Sequence, residues 1–142
     1  MAHRLFDHTA DIGIDADGAT HGEALAEAGL ALTELVTGKP VHTILPDQEV
    51  QVVVEAPDET MLAVAFLAEL LWLLESKDLL WLGGGVEVTP QRDGLRAVAK
   101  GNCAAYDPDR HGRGVEVKAV TYHGLVSRRE GARWHVRVLL DI

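Results

Sequence analysis

The sequence predicts an α+β fold, with a mixed, largely antiparallel sheet and two helices packed on one of its faces. In the first half of the chain, two segments with helical periodicity alternate with strand-like segments. In the second half, several strand-like segments follow one another with glycines between them. This order favours an α+β sheet over a doubly wound fold, and consecutive strands favour antiparallel pairing.

The length of 142 residues suits one domain with its own core. Glycine and proline residues are scattered as turn residues, and the sequence shows no linker, repeat or low-complexity tract. We therefore expect a single domain over residues 1–142.

The first helix is predicted over residues 21–37. Thr20 and Glu23 form a capping-box pattern, in which each side chain satisfies an exposed amide at the start of a helix. Apolar residues then recur at helical spacing, and Gly38 followed by Pro40 supplies the stop.

The second helix is predicted to start at Asp58, after a strand over residues 49–55. In the segment 61–74 only Glu69 is not apolar, and this run is too short and too interrupted for a membrane span. Two interpretations remain open. The pattern favours a helix buried against the sheet and its neighbours, but a docking face anchored by Trp72 is the alternative.

Four further strands are predicted after the second helix, with glycines as hairpin residues between them. The run Gly83–Gly85 precedes neither a capped helix nor a Lys-Ser/Thr pair, so it does not predict a phosphate loop. The predicted strands cover residues 86–88, 95–99, 115–125 and 134–142.

The formal net charge is −9, so a phosphate backbone would be repelled. This argues against strong direct nucleic-acid binding and favours a basic protein partner or a cation. Cys103 is the single cysteine, which excludes an intramolecular disulfide and fits a reducing compartment. The N-terminal segment lacks a signal-peptide pattern. We expect a cytoplasmic protein without membrane association, as a monomer or weak homo-oligomer.

Acidic residues lie at both ends of the chain, on the polar side of strand-like segments. Asp11 alternates with Ile12, and Asp141 alternates with Leu140 and Ile142. If the two strands are neighbours, two carboxylates meet, and a proton or a cation must relieve their repulsion. Carboxylate, carbonyl and terminal carboxylate oxygens suit calcium or magnesium rather than zinc. Two solvated aspartates are the alternative that the residues alone leave open.

A zinc site, a calcium-binding loop and a hydrolytic site have weaker support in the sequence. His8, His111 and His123 could converge with Cys103, but paired Cys-x-x-Cys or His-x-x-x-His spacing is missing, which argues against zinc. Residues 107–112 predict a turn rather than a calcium loop, because the EF-hand spacing and its closing glutamate are absent. A metal-dependent hydrolase built on His8 and His123 lacks a recognisable nucleophile and base.

Three stretches resemble the archease family: Asp7–Gly13, Lys118–His123 and the terminal Asp141-Ile142. The resemblance extends over essentially the whole chain. It implies a small accessory protein of tRNA splicing, which activates a GTP-dependent RNA ligase by promoting guanylylation of the ligase histidine and enabling multiple turnover. It also implies that the protein is a cofactor of the ligase and not itself an enzyme.

The resemblance further implies a bound divalent cation, with calcium the expected ion, held by Asp11, Asp141 and Ile142. The family often has Gly-Glu where this chain has Gly101-Asn102, and no role is carried over to Asn102. An alternative role implied by the resemblance is that of a chaperone or specificity modulator of a tRNA methyltransferase. In that case the apolar segment 61–74 would matter more than the acidic residues.

Overall fold

The structure is a computed structural model that describes residues 11–121 and 126–142, and it confirms the predicted α+β class. Strands and helices alternate up to the second helix, and strands dominate the rest of the chain. The elements are β1 (Asp11–Gly18), α1 (His21–Thr37), a 3-10 turn (Val41–Thr43), β2 (Gln48–Ala56), α2 (Glu59–Lys77), β3 (Leu79–Gln91), β4 (Gly94–Ala105), α3 (Pro108–His111), β5 (Ala119–Val120), β6 (Val126–Glu130) and β7 (Arg133–Asp141).

The strands form two sheets rather than the single sheet expected. The terminal sheet has the order β1-β7-β5, and β6 also pairs with β7 on the side of β5. The central sheet has the order β2-β4-β3. Every described pairing is antiparallel, which confirms the predicted preference. Strand β7 therefore lies in the middle of the terminal sheet, between β1 and the β5–β6 segments.

Helices α1 and α2 contact both sheets, instead of covering one face of one sheet. This arrangement explains the apolar character of α2, since two opposite sides of the helix need apolar side chains. Phe66 and Leu67 are fully buried, whereas the Trp72 side chain is 48% exposed. Burial of the helix is thus confirmed, with an exposed position at Trp72. No helix of the described residues is both long and apolar enough to cross a membrane.

Helix α1 has the predicted bounds. The Thr20 hydroxyl accepts a hydrogen bond from the amide of Glu23 at 3.1 Å, and the Glu23 carboxylate accepts one from the amide of Ala19 at 2.9 Å. The second bond differs from the capping box, which would use the amide of Thr20. Gly38 ends the helix in the left-handed region, at φ 71°, as glycine commonly does.

The predicted strand 115–125 is wrong over residues 115–118. The amides of Gly114 and Val115 donate to the carbonyl oxygens of Val36 and Leu35, at 2.8 and 2.7 Å. The last carbonyls of a helix lack partners within the helix, and this segment satisfies two of them instead of pairing with a strand. Strand pairing starts only at β5, and residues 122–125 lie outside the described part of the chain.

Strands β3 and β4 are longer than the predicted segments 86–88 and 95–99, and strand 49–55 is confirmed within β2. The β3–β4 register shifts between Trp81 and Gly84, so the glycine run lies inside a strand at an irregularity. Helix α1 crosses β3 so closely that a Cβ at Gly22 would overlap the carbonyl oxygen of Val86. Glycine is therefore required where the first turn of α1 meets the central sheet.

Candidate functional site

Asp11 and Asp141 are register partners in the β1–β7 ladder, so the condition under which the two carboxylates would meet is fulfilled. Opposite residues of an antiparallel pair project from the same face, with Cβ atoms about 4.5–5.5 Å apart. Ile12 and Leu140, one position further along, are directed towards the core, and Leu140 is completely buried. The two carboxylates therefore lie together on the outer face of the terminal sheet.

The end of β7 is held from both sides. On one side it pairs with β1, and on the other its Asp141 carbonyl accepts a hydrogen bond from the amide of Lys118 at 2.7 Å. The side chain of Ile142 is partly buried and packs against the core. Ile142, the third residue of the expected cation site, therefore follows directly after the Asp11–Asp141 pair on an anchored backbone.

Further along the same face, the acidic residues of β1 have cationic partners. Arg137 donates two hydrogen bonds to Asp15, at 2.7 and 3.3 Å, and Arg133 lies 3.3 Å from a carboxylate oxygen of Asp17. The bond from Arg137 lowers the pKa of Asp15 below its usual value. Within the described residues, the ion pairs of this face do not include Asp11 or Asp141.

The oxygen donors at Asp11, Asp141 and the terminal carboxylate fit a hard cation. Calcium and magnesium take carboxylate oxygens, and calcium tolerates irregular geometry. Within residues 11–121 and 126–142, no three His, Cys, Asp or Glu side chains converge on a possible metal position. The side-chain ligands of the expected set are thus the two carboxylates of Asp11 and Asp141.

Of the residues considered for zinc, the structure describes Cys103 and His111. Cys103 is buried in β4, opposite Gln48, and burial raises the pKa of its thiol, with the charge of Asp47 adding to the effect. A thiol with a raised pKa is a poor metal ligand and a poor nucleophile. His8 and His123 lie outside the described residues.

Residues 107–112 form a one-turn helix, α3, where a simple turn was expected. Asp107 caps it by accepting a hydrogen bond from the amide of Asp109 at 3.0 Å. His111 is buried, stacks on Tyr106, and accepts a hydrogen bond from the amide of Asp107 through Nδ1 at 3.1 Å. His111 therefore stabilises this connection.

Sequence reasoning missed a buried pair between His21 and Ser127. The Oγ of Ser127 lies 3.3 Å from Nε2 of His21, and the His21 ring stacks on Trp134 with a centroid distance of 4.2 Å. Burial lowers the pKa of His21, and the charge of Glu59 opposes this shift. The two residues are 106 positions apart, so no local spacing could have revealed the contact. Since both side chains are buried, the pair lacks the access that a hydrolytic site requires.

Asn102, where the family often has glutamate, lies on β4 opposite Glu49. Strand β4 belongs to the central sheet, whereas Asp11 and Asp141 belong to the terminal sheet. The structure therefore gives no reason to add position 102 to the acidic site.

Comparison with known proteins places the whole chain in one family. The model of the Archease protein family matches residues 3–142. The protein archease of Methanopyrus kandleri is 34% identical, with 100% of both chains covered. The protein archease of Pyrococcus furiosus is 36% identical, with 96% of both chains covered.

Two solved structures are similar. The solution structure of protein 1598 of Methanobacterium thermoautotrophicum has a TM-score of 0.76 and 30% identity, covering 96% of each chain. The crystal structure of an archease, described as a possible chaperone, from Thermotoga maritima has a TM-score of 0.59 and 22% identity. The similarity covers 100% of this chain and 98% of the Thermotoga maritima chain, and at this identity it supports the fold alone. The chain belongs to the archease family.

Proposed function

We propose that the protein is an accessory activator of a GTP-dependent tRNA-splicing RNA ligase, which promotes guanylylation and multiple turnover of the ligase. It acts as a protein cofactor and is not itself the ligase. Family membership supports the proposal. The observation that carries it is the Asp11–Asp141 pair, an exposed and a half-buried carboxylate that face each other across strands without an ion-pair partner in the described residues.

The proposed cation is calcium, held by the carboxylates of Asp11 and Asp141 and by the terminal carboxylate of Ile142. When bound, it would supply positive charge that can face a phosphate group or neutralise the acidic groups for docking. The protein contributes rigidity, because Asp11 and Asp141 are fixed by strand pairing and Ile142 by its packing on the core. A site placed on strands is held more precisely than one on loops.

The charge of the protein suits this partner. A net charge of −9 is complementary to the basic surface that an RNA ligase needs for its substrate. Complementary charges increase the rate of association and orient the encounter, so the acidic outer face would be steered towards a basic surface of the ligase.

The proposal is tested with purified ligase, GTP and this protein, by measuring ligase guanylylation and multiple-turnover joining. The variants Asp11→Asn and Asp141→Asn keep the shape of the side chain but remove its charge. We expect each to reduce stimulation at least about tenfold, since removal of a charged partner from a binding site typically costs 1.4 kcal/mol or more.

The matched control is Glu87→Gln, which removes one charge from an exposed position of β3, in the central sheet. It should stimulate like the wild type. Normal stimulation by folded Asp11→Asn and Asp141→Asn would contradict the role of the acidic pair. Absence of stimulation by the wild type would contradict the activator function itself.

A second candidate function is that of a chaperone or specificity modulator of a tRNA methyltransferase. The observation that favours it is Trp72, whose large apolar side chain is 48% exposed on α2. Lys77 lies 5.6 Å from the Trp72 ring, so a cation already approaches this face. Exposed tryptophan side chains are common anchors of protein interfaces.

Binding of a purified tRNA methyltransferase to Trp72→Ala and to Asp11→Asn separates the two functions. The chaperone role predicts that only Trp72→Ala loses binding, by about tenfold or more for an anchor residue. Val53→Ala is the control, because Val53 is apolar and 41% exposed but lies in the central sheet. Equal binding by Trp72→Ala and Val53→Ala would exclude Trp72 as an anchor.

A further inference from the structure

Strand β1 is the outermost strand of the terminal sheet. It pairs with β7 over all eight of its residues, Asp11–Gly18. On its other side, none of the described residues forms a ladder with it. An edge strand exposes a row of backbone donors and acceptors, which can pair with another chain.

The hydrogen-bonding pattern shows which groups face this edge. The amide of Thr121 donates to the carbonyl of Leu139 at 2.9 Å, so the odd-numbered residues of β7 bond towards β5. Bonding directions alternate along a strand, so the even-numbered residues of β7 bond towards even-numbered residues of β1. The amides and carbonyls of Gly13, Asp15 and Asp17 therefore face away from β7, at exposed positions.

A groove of about 250 Å³ lies beside this edge, between β1 and α1. Its apolar part is formed by Leu30, Ala31 and Val41, which are half-buried. These side chains are small or branched and leave room for the side chains of one extended segment. The groove thus combines unpaired backbone groups with an apolar wall, as strand-addition sites do.

Carboxylates border the groove on both sides. Asp15 and Asp17 lie on β1, and Glu27 and Glu34 lie on the exposed side of α1. Glu27 and Glu34 are two helical turns apart and therefore share one helix face. Arg133 and Arg137 balance the two aspartates, so the glutamates leave the groove with a net negative charge.

We infer that this groove binds an extended basic segment of a protein partner, which joins the edge of β1 as an additional strand. The segment pairs with the backbone of Gly13, Asp15 and Asp17. Side chains alternate along a strand, so its apolar residues contact Leu30 and Ala31 while its lysine or arginine residues face the carboxylates. The inference does not depend on the cation site or on the identity of the partner enzyme.

Charge decides between a basic partner and a second copy of this chain. Pairing of β1 with β1 of another copy would bring the acidic positions of the two strands together. Like charges directly opposite each other destabilise strand pairing. A basic segment removes this repulsion and gains attraction from Glu27 and Glu34.

The test uses a capped peptide of alternating lysine and valine as the probe. Binding is followed by amide hydrogen exchange and by backbone NMR shifts of the whole protein. We expect slower exchange of the amides of Gly13, Asp15 and Asp17, by about tenfold or more at saturation. An analogue N-methylated at alternate residues cannot form the ladder and should bind at least about tenfold more weakly.

The charge contribution is tested with the double variant Glu27→Gln and Glu34→Gln. It should weaken peptide binding about three- to tenfold, as expected for two exposed charge pairs. The double variant Glu75→Gln and Glu116→Gln is the matched control, because both residues are exposed and lie away from the groove. It should bind the peptide like the wild type.

Three results would overturn the inference. The first is equal binding of the N-methylated analogue, and the second is equal weakening by both double variants, which would indicate unspecific attraction. The third is protection of the same amides at rising protein concentration without peptide, together with a dimer in sedimentation. That result would assign the edge of β1 to a second copy.

Discussion

The outer face of the β1–β7 ladder has acidic residues at both ends, and within the described residues their cationic partners lie at one end. At one end Arg137 and Arg133 lie against Asp15 and Asp17. At the other end Asp11 faces Asp141, and Ile142 follows. Asp15 lies directly opposite Arg137, as Asp11 lies directly opposite Asp141, so at these two positions the difference lies in the residue type placed opposite the aspartate.

The two ends also differ on the inner face. Behind the balanced end, His21 stacks on Trp134 and meets Ser127. Behind the acidic end, the side chain of Ile142 packs on the core. At the balanced end the two aspartates have cationic partners, whereas the described residues provide none for Asp11 and Asp141, where we propose that a cation takes this place.

The largest effect is expected from Asp141→Arg, which gives the acidic end the cross-strand pairing of the balanced end. For the wild type, calcium at about 100 times its Kd should increase the free energy of unfolding by about 2.7 kcal/mol. The variant should show no such increase, because an Asp11–Arg pair replaces the cation. Thermal unfolding with calcium and with a chelator measures the difference.

Glu87→Arg is the control for Asp141→Arg, since it makes the same charge change on the central sheet. Calcium should increase the free energy of unfolding of Glu87→Arg as much as that of the wild type. If Asp141→Arg is folded and is still stabilised by calcium, the two ends do not differ in the way proposed.

The next largest effect concerns the inner side of the balanced end. His21→Ala removes the ring that stacks on Trp134 and leaves the Ser127 hydroxyl without its partner. We expect a loss of about 2 kcal/mol in the free energy of unfolding, typical of a buried truncation. Urea denaturation at neutral pH measures it. A loss below about 0.5 kcal/mol would show that the stack contributes little.

The same histidine should make this end sensitive to pH. Burial holds the pKa of His21 below its usual 6.5, so the unfolded chain binds a proton more readily than the folded one. The contribution of neutral His21 to the free energy of unfolding is fully present above pH 6.5 and is lost as the pH falls through the lowered pKa. His21→Phe should remove this part of the pH dependence of unfolding. An unchanged profile in His21→Phe would assign the dependence to other groups.

The smallest effect is expected for Arg137→Met at the balanced end. Arg137 holds the pKa of Asp15 below its usual 3.8. The ion pair therefore contributes to the free energy of unfolding above pH 3.8, and this contribution disappears as the pH falls through the lowered pKa. Both groups are exposed, so the free energy of unfolding at neutral pH should change little in Arg137→Met. An NMR titration of Asp15 should show its pKa rising in Arg137→Met but not in Arg92→Met. An equal pKa of Asp15 in the two variants would contradict the ion pair between Arg137 and Asp15.

The local features of the molecule could be predicted from sequence. Helix α1 has the predicted bounds because Thr20 and Gly38 are signals that act within a few residues. The outward direction of Asp11 and Asp141 followed from strict alternation in their strands. Their pairing across the sheet stayed a condition in the sequence reasoning, and the β1–β7 register fulfils it.

Features set by distant contacts could not be predicted. The segment 115–118 has the β-branched residues of a strand, but its start bonds to the end of α1. The division into two sheets, and the position of α2 against both, depend on packing that periodicity does not encode. The glycine run in β3 interrupts the apolar pattern, so the sequence predicted only the part of the strand that follows the glycines.

The pairing of β1 with β7 has a consequence for folding kinetics. Asp11 and Asp141 are about 130 positions apart, whereas β3 and β4 form a local hairpin. Closing the longer loop costs more entropy, so we expect the central sheet to form early and the β1–β7 ladder late. Calcium at the ladder should then slow unfolding while leaving the refolding rate almost unchanged, because it binds contacts absent from the transition state. Stopped-flow measurements with and without calcium test this, and an accelerated refolding rate would place the ladder in the folding nucleus.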